Sequence, residues 1–334
     1  MRDHDTMPPT SISAIVPAYN VEYYVADALD SLLAQSAPFH EIIVVDDGST
    51  DGTAAILDRY RQHPSIRVVH VDNGGQGRAR NLALDLASGD YVYFFDADDL
   101  LMQDFVAVMQ DLLGRRPELD IVYFSGESFV DAGCNTDYLP AYRRKLDGEF
   151  ADGVAAAGAL LARGTCFASP CLYLSRRSLW GEGALAFKPI VHEDEEIITL
   201  LACAAGASVC TDRGFFDRRV RAQSTMTQRK SGRHAAGYLQ TLATLATQCR
   251  QQRATLAPIE ALMVRRFYAL LAGYLAICKS IGDRPDYRAL GRHLLTLGRL
   301  PGLRQLVEMT APPGLLLRVS GWRRQRMQSK TGQR

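Results

Sequence analysis

The stretch YVYFFDADDLL, residues 91–101, sets four aromatic side chains (Tyr91, Tyr93, Phe94 and Phe95) directly ahead of Asp96, Asp98 and Asp99. Three carboxylates within four residues repel one another and resist desolvation, so something positive should sit beside them. The D-x-D spacing of Asp96 and Asp98 offers hard oxygen ligands. Such ligands suit Mg2+ or Mn2+ and leave room in an octahedral shell for phosphate oxygens and water. A surface turn would explain one or two of the aspartates, but three behind an aromatic run point to a ligand.

Four further stretches carry polar residues in unusual company. EIIVVDDGSTDGT (41–53) ends an apolar run on Asp46 and Asp47. Asp51 or Ser49 would cap the following helix, yet a cap needs one such residue and not a pair behind it. A bacterial receiver domain also places a double Asp after one strand and another Asp after a later one. Here, however, PAYN follows the first strand, the pair follows the second, and the chain is much too long. NGGQGRARN (73–81) imitates a dinucleotide fingerprint, with Asp96 about 20 residues on. Arg80 stands where the third glycine belongs, and close helix–strand packing there would exclude a large side chain. A glycine loop running into RARN is better suited to phosphate, through backbone N–H groups, a helix N-terminus and a guanidinium. In VHEDEEIITLL (191–201) the zinc pattern H-E-x-x-H fails, because position 196 is Glu. The stretch is either an acidic helix start or the seat of a general base, Asp194, that takes the proton from an incoming hydroxyl. RRVRAQSTMTQRK (218–230) gathers Arg218, Arg219, Arg221, Arg229 and Lys230. It is either a solvated loop or the source of phosphate-binding cations.

The elements that must position these residues read clearly in the first third. Apolar runs at 13–19, 41–47, 66–72, 91–99 and 120–126 alternate with segments of helical period. VEYYVADALDSLLAQ places Val25, Leu29, Leu32 and Leu33 on one face, and GRARNLALDLASG closes on Gly89, the expected C-cap. Strands alternating with helices predict right-handed βαβ units and a parallel sheet, whose buried strands are apolar throughout. In such a sheet ligands gather beyond the carboxyl ends of the strands. Pro17, Tyr19 and Asn20, Asp46 and Asp47, Asn73 to Gly77, and Asp96 to Asp99 all fall there. From about 127 to 236 the pattern is irregular, and from about 237 it is helical, broken at Pro258, Pro285, Pro301 and Pro312–Pro313.

Composition bounds the rest. The 334 residues, 47% hydrophobic and 22% charged, predict a globular chain of two domains. The net charge of +1 hides a polarity: residues 1–150 carry 25 acidic against 11 basic side chains, and residues 284–334 carry 2 against 11. MRDHDTMPPT lacks the apolar core of a secretory signal. The longest apolar run, FYALLAGYLAIC (267–278), falls short of the roughly 18 residues of a spanning helix and reads as a buried core helix. Seven cysteines without a C-x-x-C pair suggest free thiols in a reducing cytoplasm.

Taken in order, AIVPAYN, EIIVVDDGSTDGT, NGGQGRARN, GDYVYFFDADDLL, CLYLSRRSLW, HEDEE and RRVRAQSTMT resemble the inverting glycosyltransferases of family 2, over about residues 12–230. The resemblance implies a GT-A fold, a Rossmann-like, mostly parallel α/β sheet flanked by helices, here with a helical C-terminal region. It implies a disordered 1–11 and a glycosyltransferase domain over 12–236, with a nucleotide-sugar half to about 126 and an acceptor half from 127. Residues 237–334 would form the helical region with its basic tail.

It further implies a nucleotide-diphospho-sugar donor, a divalent metal (Mn2+ or Mg2+), a glycan or lipid-linked acceptor, and no nucleic-acid partner. Pro17, Tyr19 and Asn20 would line the nucleotide pocket, Asp46 and Asp47 meet the base or ribose, and Arg80 sit beside the nucleotide. Asp96 would lie near the ribose, Asp98 hold the metal, Asp194 act as base, and Arg219 or Arg221 approach the diphosphate. Cys171 and Arg218 stand where the family often has an aromatic residue and a tyrosine. A relative that binds nucleotide-sugar without turnover is the competing reading. The tail GLLLRVSGWRRQRMQSK (314–330), with leucines, Trp322 and five basic residues, suggests either a peripheral hold on an anionic membrane face or ordinary packing with solvated arginines.

Overall fold

The computed structural model describes residues 10–132, 134–137, 139–181, 185–221, 230–252 and 257–298; the stretches 1–9, 222–229 and 314–330 discussed above lie outside them. The chain divides into two compact units, Met1–Arg229 and Lys230–Arg334.

The first four apolar runs form strands β1 (Ile12–Ala18), β2 (Glu41–Asp46), β3 (Ile66–His70) and β4 (Tyr91–Phe94), paired in parallel in the order β3-β2-β1-β4. All seven residues of β1 are buried, as both faces of a parallel sheet require. Helices α1 (Val25–Leu33), α2 (Thr53–Tyr60) and α3 (Gln76–Leu86) make the crossovers. Alternation sorts the aromatic strand: Tyr91, Tyr93 and Phe95 pack with Val25, Leu29 and Leu32 of α1, whereas Val92 and Phe94 pack with Ala79 and Ala83 of α3. The strand ladder ends at Phe94, so the aspartates occupy a turn beyond it.

Gly89 is not the cap of α3. The helix stops at Leu86, with Ala87 as C-cap already in extended conformation. Gly89 serves a close approach instead, because a Cβ there would lie 2.7 Å from Ser13 Oγ.

The irregular region builds the other half of the sheet. Short β5 (Leu100–Leu101) and helix α4 (Phe105–Arg115) precede β6 (Ile121–Val130). Then come β7 (Gly148–Phe150), α5 (Gly153–Arg163), β8 (Tyr173–Arg176), α6 (Glu193–Ala204) and the long β9 (Ser208–Val220). Strand β8 inserts between β4 and β6, antiparallel to both, and β9 runs parallel to β6. The sheet is therefore mixed beyond β4.

The β6–β9 pairing shifts register between Tyr123 and Ser125, and Arg144, bonded to Phe124 and Ser125 there, is fully buried. Its guanidinium donates to the carbonyls of Phe124 (3.1 Å), Thr165 (2.8 Å) and Leu172 (2.9 Å). Burial lowers its pKa, and the three carbonyls take the role that a carboxylate plays elsewhere. Arg144 thereby staples the segment carrying Cys171 to the sheet.

In the second unit α7 (Gly232–Gln252), α8 (Ala257–Ile281) and α9 (Tyr287–Leu297) pack together. Residues Pro258–Ile281 are long and apolar enough to cross a membrane by length and composition, yet half of that stretch is buried. Leu262, Met263, Phe267, Leu270, Leu271 and Tyr274 form its covered side, the pattern of a core helix. Helix α9 starts on Asp286, whose carboxylate accepts from Ala289 N, and ends on Gly298 at φ 62°.

Candidate active site

Four polar loops meet at the carboxyl ends of β1 to β4. Register places Pro17 beside Val45 and Ala18 beside Asp46, so the PAYN and DDGST turns emerge together. Asn20, at φ 51°, stitches them: its N–H donates to Ser49 Oγ (3.1 Å) and its Oδ1 accepts from Thr50 N (2.8 Å). Tyr19 projects beside it, 47% exposed.

Asp46 and Asp47 are both buried, and each carboxylate has work within the protein. Asp46 Oδ1 accepts from Ser49 N (3.0 Å), and its Oδ2 meets His70 Nδ1 at 2.8 Å. The bond to Asp46, with help from Asp58 at the other ring nitrogen, raises the His70 pKa. Asp47 accepts from Gly74 N and Gly75 N, 2.8 Å each, and so shapes the glycine loop; Gly75 holds φ 91°.

The positive partners of the aspartate turn come from distant parts of the first unit. Asp96 Oδ1 accepts from Arg80 Nη2 and from Gln76 Nε2, both at 3.0 Å. Asp98 Oδ2 accepts from Arg221 Nε (2.7 Å), and its carbonyl accepts from Arg219 Nε (2.9 Å). Asp99 is buried and accepts from Arg219 N (2.7 Å). Arg219 also reaches Asp131 and Asp27, 3.1 Å each, and lies over the rings of Tyr24 and Phe129. Burial raises the pKa of Asp98, with Arg221 pulling it down and Asp96 pushing it up. Burial, then Asp98 and Asp96, hold Asp99 well above the carboxylate range. The turn remains rich in acid even with its arginines in place.

Arg80 joins this turn to α6. It is 2% exposed, with Nη1 donating to Glu193 Oε1 at 2.6 Å while Nη2 holds Asp96. Burial works against its charge, but Asp96 and Glu193 outweigh that and raise its pKa. For Glu193 burial is the larger influence and raises the carboxyl, Arg80 opposing and Asp194 adding to the rise. Asp194 is half-buried in the acidic first turn of α6, and its charge is felt at Arg80 and Tyr173.

Two donor sets bear on a metal. Ligand atoms of Asp96, Asp99 and Cys171 lie within 4.8 Å of one another. Burial pushes the Cys171 thiol well up, and a protonated soft sulfur is a poor ligand for Mg2+ or Mn2+. The carboxylates of Asp96 and Asp98 are hard donors of the kind that suits such a cation, with Asp96 Oδ1 held by Arg80 and Asp98 Oδ2 by Arg221.

The structure thus brings Pro17, Tyr19, Asn20, Asp46, Asp47, Asp96, Asp98 and Arg80 to one end of the sheet, with Arg219 and Arg221 arriving on β9 and just after it. Sequence reading missed the Arg80–Glu193 pair, which spans 113 residues, the His70 support of Asp46, and Arg144. None of these leaves a local spacing signal; each depends on tertiary proximity.

Residues 13–154 match the family model Glycosyl transferase family 2. The chain is 46% identical over 95 residues to TuaG, a putative teichuronic acid biosynthesis glycosyltransferase of Bacillus subtilis, covering 28% of this chain and 38% of that protein. It is 37% identical over 138 residues to chondroitin synthase of Escherichia coli, 40% of this chain and 20% of the relative. The chain covers well under half the length of these curated relatives. Among solved structures, residues 1–349 of Staphylococcus aureus TarS superpose with a TM-score of 0.66 at 21% identity, covering 86% of this chain and 81% of that one. A further TarS structure, with UDP-GlcNAc bound, gives 0.64 at 22% identity, covering 86% and 82%. Residues 13–154 thus match glycosyl transferase family 2, and the chain carries the GT-A fold.

Proposed function

We propose that this protein transfers a sugar from a nucleotide-diphospho-sugar to an acceptor hydroxyl with inversion, in the synthesis of a bacterial surface polysaccharide or similar glycan. The observation that carries this reading is the meeting of two aspartate turns and the glycine loop at one end of the sheet, with Arg80 linking the Asp96 turn to the acidic turn of α6. Pro17, Tyr19, Asn20, Asp46 and Asp47 border the nucleotide, and Asp96 faces its ribose. Asp98 would hold a divalent cation, which when bound offsets charge on the departing diphosphate. Arg221, and Arg219 behind it, bring positive charge to the same place. Asp194 accepts the proton of the acceptor hydroxyl as the new bond forms, and one displacement needs no enzyme nucleophile. The enzyme would work in the cytoplasm, on a glycan or lipid-linked acceptor, its basic tail resting on the inner membrane face.

UDP-GlcNAc heads the panel of donors to test, because a fold neighbour binds it. Thermal shift against nucleotide-sugars, followed by hydrolysis with and without Mn2+, checks the proposal. A stabilising donor that is hydrolysed faster with Mn2+ supports it. Stabilisation without any turnover would leave a nucleotide-sugar-binding relative instead.

A further inference from the structure

Helix α3 leaves the glycine loop and grips the approach to α6 at several points. Arg80 binds Glu193, and its guanidinium lies 5.2 Å from the ring centre of Phe187. Asn81 exchanges two bonds of 2.8 Å with the Phe187 backbone, one through Nδ2 and one through Oδ1. Gly77 lies so close that a Cβ there would stand 2.7 Å from the Lys188 carbonyl oxygen. This segment ends on His192 at φ 69°, a left-handed conformation that a residue with a Cβ keeps when its surroundings over-determine it. A buried ion pair contributes little net stability, since desolvation offsets the attraction; what it supplies is geometry.

We infer that Arg80 is a positioning residue for Asp194: through Glu193 it fixes the first turn of α6, and through Asp96 it ties that turn to the donor end of the sheet. The inference rests on the glycosyl-transfer reading above, in which Asp194 takes the acceptor proton. With both arms of its guanidinium engaged and its side chain buried, Arg80 acts on the reaction through those two carboxylates. Donor loop and base are thereby one rigid piece.

The test compares full-length Arg80→Met, Arg80→Lys, Glu193→Gln and the Met/Gln double variant with the wild type, on whichever panel donor the wild type turns over. Arg80→Met and Glu193→Gln should each lower kcat about 10- to 100-fold, the range expected when a catalytic group is displaced by up to about 1 Å. The double variant should be no worse than the poorer single, because one linkage is being removed twice. Glu193→Gln should leave donor KM within about threefold, since it spares the Asp96 arm. Arg80→Lys, which keeps the charge, should recover part of the loss.

The acid limb of the pH–kcat profile supplies a readout that a merely structural role would not move. Loss of the Arg80 cation should carry it to higher pH, and loss of the Glu193 charge to lower pH. Hydrogen–deuterium exchange at residues 191–197 should quicken in Arg80→Met and Glu193→Gln, and this arm needs no turnover. Additive kcat losses, an Arg80→Met defect confined to donor KM, an unmoved acid limb or unchanged exchange would each overturn the inference. A wild type that turns over no donor would sink the glycosyl-transfer reading instead, with the exchange arm still deciding whether Arg80 holds α6.

Discussion

Replacing Gly77 with alanine should slow turnover and lower stability by at most about 2.5 kcal/mol, and Gly114 supplies the control. Both glycines lie in helices, α3 and α4, and neither has a positive φ. At Gly114 an added Cβ meets nothing within 4 Å, so the substitution should stabilise by about 0.4–1 kcal/mol through the unfolded chain. At Gly77 a similar gain opposes a clash: the Cβ would stand 2.7 Å from Lys188 O, 3.2 Å from Phe187 Cβ and 3.5 Å from Glu193 Cγ. Overpacking of this kind costs about 1–3 kcal/mol, which leaves a net loss of about 0–2.5 kcal/mol. At about 2–4 °C per kcal/mol for a unit of this size, Tm should fall by no more than about 10 °C. Relief of the clash needs the 187–193 segment to retreat by several tenths of an ångström, and Asp194 follows Glu193. Since a displacement of about 1 Å can cost about 10²-fold in rate, roughly half that shift should cost about tenfold in kcat. Thermal melts, nucleotide titration and initial rates on the two variants decide the matter. If Gly77→Ala rises in Tm as Gly114→Ala does and keeps full kcat, the packing argument is wrong.

Asp98→Asn should abolish the enhancement of nucleotide affinity by Mn2+, because a neutral amide replaces an anionic ligand; equal enhancement in variant and wild type would end that assignment. Asp194→Asn should leave donor binding near normal and cut turnover about 10²- to 10⁴-fold, and survival of the rate within a few-fold would move the base to Glu193 or Glu195. The folded state raises the His70 pKa above its ordinary 6.5, so its stabilisation is full below that value and fades as pH climbs through the folded one. The Tm gap between wild type and His70→Gln should therefore be wider near about pH 5.5 than about pH 8.5, and an unchanged gap would remove His70 as a support of Asp46. For the tail, each basic residue near an anionic surface contributes about 1 kcal/mol, so the full chain should sediment with anionic liposomes and release with salt. Equal binding to neutral liposomes would assign the tail to ordinary packing.

What the sequence discloses follows from the range of the interactions concerned. Strands β1 to β4 are legible because a buried parallel strand is apolar at every position and its ligand-facing polar residues crowd one end. Strands β8 and β9 are not, since β8 is recognisable only when β4 and β6 stand on either side of it, and β9 bends across a register shift. Gly89 misleads for a related reason. A glycine after a helix signals a left-handed cap, but here the need is space beside Ser13, which no helical period records. Arg80 shows the same limit in the other direction. Its size argues correctly against a dinucleotide fingerprint, and the tight helix contact does exist, three residues earlier at Gly77.

The aspartate turn is where local and tertiary reasoning divide most sharply. Adjacent carboxylates can be counted along the chain, and their mutual repulsion follows from spacing alone. The charges that answer them cannot be counted that way: Arg80 lies 16 residues before Asp96, whereas Arg221 lies 123 residues after Asp98. The fold also assigns those arginines unequally. Arg219 is committed to Asp27 and Asp131 as well as to the backbone of the turn, so it holds the turn's shape. Arg221 meets Asp98 through Nε at 2.7 Å. Arg80 is buried, with a second carboxylate at Glu193. The same acid cluster is thus held by Arg219, by Arg221 and by Arg80, the last of which also binds Glu193 of α6. That division of labour explains how Asp96 and Asp98 can stand at the end of a buried strand with their side chains still 20% and 19% exposed, while Asp99 is buried.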